Sequence, residues 1–314
     1  MITFTAEQLQ QLLQLATQAA LSAGRYINQF DRTQLLVQHK QSGASLSAQV
    51  VTQVDLDSQA LILAILQPST EQYDIALLTE ENASEEGVAE HDRFRRDYFW
   101  CIDPLDGTLP FIEGNDGFAV SIALVDRTGK PVIGVVHHPR TGDTYQAINA
   151  LPVVSGVLKN TQPWQPKIAN RVLTLYIDRS FAQDPVYPAY INKMTAFSAQ
   201  QGLGGLNIVN ARGAVMNAIG VLENAPACYA KLPKKKRGGG SLWDFSATAA
   251  ITQALANQAQ GLVTPTCRVS DTQGEELDLN RSDSNYMNHR GVCYSCGIDN
   301  DVLLDLLADL YARR

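Results

Sequence analysis

No window of this 314-residue sequence reaches the ~18 consecutive apolar residues that a membrane-crossing helix needs. The N-terminus lacks a basic region followed by an apolar run, so no signal peptide is expected. Positive charge is in deficit. The net charge of −7 argues against a nucleic-acid polymer as partner, because binding a phosphate backbone needs a basic face. The signature of disorder is missing too, since 45% of the residues are apolar and only 18% charged. There is no internal repeat, no P-loop and no dinucleotide-binding glycine fingerprint. Cysteine is sparse and odd in number. Five in a chain large enough to fold without cross-links read as free thiols in a reducing cytoplasm. Cys293 and Cys296 have C-x-x-C spacing but no companion pair to complete a zinc site, so a structural strand end is expected there.

The most informative stretch is 100–108, Trp-Cys-Ile-Asp-Pro-Leu-Asp-Gly-Thr. An aromatic and apolar run suited to a buried strand ends in an acidic turn. Asp103 and Asp106 are thereby held at the end of a rigid element. Pro104 fixes one backbone angle, and Gly107 permits a tight bend that exposes backbone N–H groups. Such a turn can offer a cation two carboxylates, and an anion its N–H groups and the Thr108 hydroxyl. Metal-assisted hydrolysis of a phosphate ester needs both side by side. Asp-Pro and Asp-Gly are also ordinary turn formers, so the stretch alone leaves a plain loop open.

The chain in order supplies more acids in comparable places. Residues 5–30 read as a helix, with a Thr5/Gln8 capping box and a buried face of Leu9, Leu12, Leu13, Ala16, Ala20, Ala23 and Ile27. A polar loop to residue 48 follows. A short strand at Val50 and Val51 leads to Asp55, which reads as the N-cap of a helix over 56–66 closed by Pro68. Residues 74–78 read as a buried strand running into Glu80 and Glu81, where a surface loop is the alternative. Strands over 118–125, 132–136 and 144–148 form an antiparallel meander. The Pro- and Gln-rich stretch 162–167 is the candidate boundary. Beyond it, strands over 172–177, 206–209, 227–230 and 291–295, with another starting at Leu262 and Val263, alternate with helices over 187–201, 214–222, 243–256 and 302–312. The basic loop from Lys234 to Arg237, followed by Gly238, Gly239 and Gly240, reads as a solvated loop or as a mobile cationic lip. Asp244 then stands at a helix start, where capping is the usual job.

The order and local sequence of these acids resemble the inositol monophosphatase superfamily of magnesium-dependent, lithium-sensitive phosphatases. Residues 103–108 with Phe111 match its signature D-P-[IL]-D-G-T-x-x-[FY], and Trp243-Asp244-Phe245-Ser246-Ala247 matches W-D-x-[AS]-[AG]. Thr79-Glu80-Glu81 occupies the place of Gly-Glu-Glu, and 51–55 resembles V-T-x-x-D. The resemblance runs from the first helix to the strand near Gly291. It implies layered α-β-α-β-α architecture: an α+β half over 1–165 with an antiparallel sheet, joined to an α/β half over 166–314 that supplies Asp244.

The resemblance also implies roles. Glu80, Asp103 and the Leu105 carbonyl would hold one magnesium, and Asp103, Asp106 and Asp244 a second. Thr108 and Asp55 would pair to orient the attacking water, with Glu80 beside them. Gly107 and Thr108 N–H groups would grip the phosphate, so Leu105, Asp106, Gly107, Thr108 and Asp244 also bound the substrate. Glu81 has at most a supporting or third-metal role. Pro110 stiffens a loop that is polar in many members, and residues 213–217 lie where nucleotidase-like members carry a serine- and lysine-bearing segment, a lysine that is absent near Asn217.

The implied partner is a small phosphorylated metabolite. Inositol monophosphate is the default, with 3′-phosphoadenosine 5′-phosphate as the alternative and fructose bisphosphate behind both. A silent member that only binds metal or phosphate would have lost ligands, yet every implied position is retained. A homodimer in the cytoplasm and inhibition by lithium are family expectations.

Overall fold

The computed structural model describes residues 3–34, 37–39, 50–84, 86–168, 170–259 and 265–312. Helix α1 (Ala6–Gln29) begins as its sequence predicts, with Thr5 and Gln8 closing the capping box. Strands β1 (Val37–His39) and β2 (Val50–Thr52) pair antiparallel. The rest of the stretch expected to be a loop lies outside the described residues. Helix α2 (Gln53–Tyr73) departs from expectation at both ends. It starts before Asp55, and it runs on through Pro68. Its last turns are held by side chains: Ser69 Oγ donates to the Leu66 carbonyl at 2.6 Å, and Trp100 Nε1 donates to Ser69 at 3.0 Å. A buried anchor thus carries the helix past the residue that would otherwise end it.

Among the described residues the first sheet has seven strands: β3 (Ala76–Thr79), β4 (Tyr98–Asp106), β5 (Ala119–Asp126), β6 (Pro131–His137), β7 (Thr144–Ala150), β8 (Val154–Lys159) and β9 (Gln162–Pro163), adjacent in that order. β3 and β4 are parallel; every later pair is antiparallel, which is the expected meander with two further strands. The stretch read as a boundary therefore begins inside this sheet. The second sheet runs β11 (Leu206–Val209), β10 (Leu173–Tyr176), β12 (Ala227–Lys231), β14 (Val292–Cys296), β13 (Cys267–Ser270). The strand expected from Leu262 begins at Cys267, and residues 262 and 263 lie outside the described set.

β4 explains the layering. All nine of its residues are buried. Alternate side chains go to opposite faces. Tyr98, Trp100 and Ile102 join the core under α1 and α2. Phe99 and Cys101 join the core shared with α5 (Ala214–Glu223) and α6 (Leu242–Gln258), which lie between the sheets. A third core packs α4 (Tyr187–Gln200) and α7 (Asn300–Ala312) on the far face of the second sheet. The order is therefore α-β-α-β-α, as the resemblance implied. The short helix α3 (Thr108–Ile112) follows β4 directly. Among the described residues, no helix is long and apolar enough to cross a membrane.

The cysteine expectation is corrected in one respect. Cys267 and Cys296 face each other in the β13–β14 register and are joined by a disulfide. Cys101, Cys228 and Cys293 are free and buried. Burial pushes the Cys293 thiol up to about 12, so it is inert, in keeping with a structural strand position.

Candidate active site

Asp103 and Asp106 stand three residues apart on one strand, so regular alternation would send them to opposite faces. A bulge prevents this. Asp103 pairs with Ser121 and Asp106 with Ala119, so β4 carries one residue more than β5 between the two pairs. The extra residue turns Asp106 toward the same side as Asp103. The backbone then bends at Gly107, whose φ of 82° is the left-handed conformation that glycine adopts without strain.

Asp244 arrives from the other half of the chain. Ser241 and Asp244 form a capping box at the start of α6. Ser121, the β5 partner of Asp103, donates its hydroxyl to the Trp243 carbonyl at 3.1 Å. That bond fixes the helix start against the strand end. The carboxylate oxygens of Asp103, Asp106 and Asp244 consequently come within 4.8 Å of one another. Glu80, half-buried at the end of β3, lines the same cavity just outside this closest group.

Three crowded carboxylates resist ionisation. Burial, then the charges of Glu80, Asp106 and Asp244, push the Asp103 carboxyl well above the usual range. Burial and then Asp244 do the same to Asp106, against the opposing Val215 N–H and Lys231. Burial raises Asp244 to about 7 even with Lys231 opposing it. The donor set is all oxygen, anionic and enclosed, which fits a small hard dication. Such an ion would supply the charge the cluster lacks.

Each sequence-predicted residue can now be placed. Thr108 Oγ1 lies 3.0 Å from Asp55 Oδ1 and 3.3 Å from the Leu105 carbonyl. Asp55 is therefore not an N-cap. It sits in the first turn of α2, buried, and accepts from a residue 53 positions away. Leu105 N donates to Asp103 Oδ1 at 3.0 Å, which locks that carboxylate's rotation. Leu105, Gly107 and Thr108 line the cavity with the acids.

The cavity also has a cationic side that motif reading did not resolve. Lys231, at the end of β12, is 3.1 Å from Asp178, which also accepts from the Tyr229 hydroxyl at 2.8 Å. Burial works against its charge, but Asp178 and Asp244 outweigh it and hold its pKa raised. Arg212 and Lys234 line the same space. Of the basic loop, Lys234 and the glycines 238–240 reach the cavity, whereas Lys235, Lys236 and Arg237 are exposed. Nothing in the sequence around Lys231 or Arg212 marks them; only the meeting of β4, β12 and the turn before α5 does.

Residues 8–308 match the model of the inositol monophosphatase family. The chain is 36% identical over 280 residues to a 3′(2′),5′-bisphosphate nucleotidase CysQ of Haemophilus influenzae, covering 84% of this chain and 86% of that protein. It is 36% identical over 134 residues to an inositol-1-monophosphatase of Mesorhizobium japonicum, covering 43% of this chain and 46% of that protein. Among solved structures, a Thermotoga maritima IMPase superposes with a TM-score of 0.66 at 20% identity, covering 96% of this chain and 98% of that one. Fold, motif order and family match agree: the chain belongs to the inositol monophosphatase family and is a phosphoric monoester hydrolase.

Proposed function

We propose that the protein is a magnesium-dependent phosphomonoesterase acting on a 3′-phosphorylated adenosine nucleotide such as 3′-phosphoadenosine 5′-phosphate. The observation that carries this reading is the pairing, in one cavity, of the acid cluster with the cationic Arg212, Lys231 and Lys234. The acids would hold metal for one phosphate, and a second phosphate needs cations of the protein's own. The similarity to the nucleotidase from Haemophilus influenzae supports the same choice. Inositol monophosphate is the second reading, favoured by the likeness to the Mesorhizobium enzyme.

Glu80, Asp103 and the Leu105 carbonyl would hold one magnesium, and Asp103, Asp106 and Asp244 a second. When bound, the ions supply the Lewis-acid charge that neutralises phosphate and makes water a better nucleophile. The chain's own part is positioning. Thr108 spends its one hydroxyl proton on Asp55, so its lone pairs are left to accept from the attacking water and orient it. Asp55 acts through Thr108. Gly107 and Thr108, at the bend, would contact the phosphate oxygens. The halves over 1–165 and 166–314 would form the two walls. Lithium inhibition, a homodimer and a cytoplasmic setting complete the proposal on family grounds.

The test is phosphate release from 3′-phosphoadenosine 5′-phosphate, inositol 1-phosphate and fructose 1,6-bisphosphate, with magnesium, with EDTA, and with lithium added. The nucleotide should lead in kcat/KM by at least about tenfold. A lead for inositol 1-phosphate would move the assignment to the second reading. Undiminished activity in EDTA would remove the metal mechanism.

A further inference from the structure

Two segments that carry no proposed ligand are threaded together behind the site. Arg93 is 0% exposed, although it lies in the loop region between Glu80 and β4. Its Nη1 donates to Asn285 Oδ1 at 2.8 Å and its Nη2 to the Arg281 carbonyl at 3.0 Å. Asn285 is itself 2% exposed. It donates from Nδ2 to the Ser84 carbonyl at 3.0 Å, four residues past Glu80. Its own carbonyl accepts the Leu242 N–H at 3.0 Å, the first residue of the helix that presents Asp244. One asparagine therefore bonds both to the chain just after Glu80 and to the chain just before Asp244.

The neighbouring residues extend the frame to the cavity rim. The Met287 N–H donates to the Gly240 carbonyl at 2.9 Å, and Tyr286 bridges to Ser241. Asn288 and Lys234 exchange two bonds: the Lys234 N–H donates to the Asn288 carbonyl at 2.9 Å, and Asn288 Nδ2 donates to the Lys234 carbonyl at 3.1 Å. Arg281 stiffens this turn by donating to the Tyr286 carbonyl, to Asn288 and to Asp283.

We infer that Arg93 and Asn285 are positioning residues that set the separation between the Glu80 side and the Asp244 side of the cluster. The physical reason is geometric. Glu80 and Asp244 come from different sheets' connections, and the mutual repulsion of their carboxylates would drive them apart. A guanidinium held in a fixed fork by two acceptors resists that displacement. Groups bonded directly to metal ligands typically change metal affinity by about 10–100-fold when removed, and a frame one step further out belongs at the low end of that range. The inference rests on the proposed ligand roles of Glu80 and Asp244.

The experiment compares Arg93→Lys, Asn285→Ala and the double variant with the parent protein. Magnesium binding is measured by calorimetry, and melting temperature is measured in EDTA. Each single variant should weaken magnesium binding about tenfold, while kcat at saturating magnesium stays within about threefold. The double variant should be no weaker than the worse single one, because both act through one connection. Lower melting temperatures with unchanged magnesium affinity would overturn the inference. Should the variants fail to fold, hydrogen exchange on the parent protein decides. Magnesium should slow exchange in 84–93 and 281–288; slowing confined to the ligand segments would overturn it. Asp244→Asn separates the two levels. If that change leaves magnesium affinity intact, the ligand assignment fails whatever the clamp does.

Discussion

Asp106 Oδ2 accepts the Val215 N–H at 3.0 Å, a bond that joins the acid cluster to the first turn of α5 across 109 residues. Oδ1 accepts the Ala214 N–H at 3.1 Å. The residue preceding them, Gly213, has no side chain to cap its own helix. Asp106 caps it from another element, and the two bonds fix the rotation of its carboxylate.

Gly213→Ala should break this arrangement. A Cβ there would lie 2.2 Å from Asp106 Oδ2 and 2.9 Å from the Gly107 Cα. The carboxylate must move. Magnesium affinity should fall about 10–100-fold, with a stability loss of only ~1–3 kcal/mol. Calorimetry and thermal melting check both; unchanged affinity would mean that Asp106 is not held by this contact.

Asp106→Asn should separate stability from activity. The amide oxygen can still accept one of the two N–H groups, and one charge leaves a cluster that repels itself. In EDTA the variant should melt at or above the parent temperature. With magnesium its kcat/KM should drop by about 100-fold or more. A variant as active as the parent would argue for phosphate binding without catalysis by this cluster.

The pH dependence of the metal-free protein has a definite direction. Asp244 titrates at about 7, and Asp103 and Asp106 are also raised, against ~3.9 in an unfolded chain. The folded state binds these protons more tightly. For Asp244 that contribution to stability is complete below the unfolded value and is lost as pH rises from there through about 7, and Asp103 and Asp106 act in the same direction. The melting temperature in EDTA should fall between about pH 4 and 7 by on the order of 5 °C. Saturating magnesium should abolish the slope and release protons on binding. A flat profile in EDTA would contradict the raised values.

Thr108→Ala should cost about 10²–10⁴ in kcat with little change in KM, because the hydroxyl that orients water is lost while the phosphate contacts are backbone. Thr108→Ser, which keeps the 3.0 Å partner Asp55 within reach, should recover most of it. Equal activity of the two variants would remove Thr108 from the mechanism.

Much of this was legible in the chain. The capping box of α1, the buried run of β4, the meander and the later alternation all follow from local patterning, where a residue's neighbours decide its conformation. The two ordered signatures single out Asp103, Asp106, Thr108 and Asp244 as candidates, and the three acids among them do come together. What local patterning misjudged was decided by distant partners. Asp55 looks like an N-cap until Thr108 is placed against it. Pro68 looks like a helix end until Trp100 anchors Ser69. Cys267 and Cys296 count as free thiols until two strands bring them into register. The sequence by itself determined which acids are candidates and in which order they occur. Tertiary structure alone decided that they converge. A bulge of one residue in β4, a helix cap supplied across 109 residues and an asparagine bridging two segments are properties of pairing between remote strands and loops, and spacing along one chain carries no record of them.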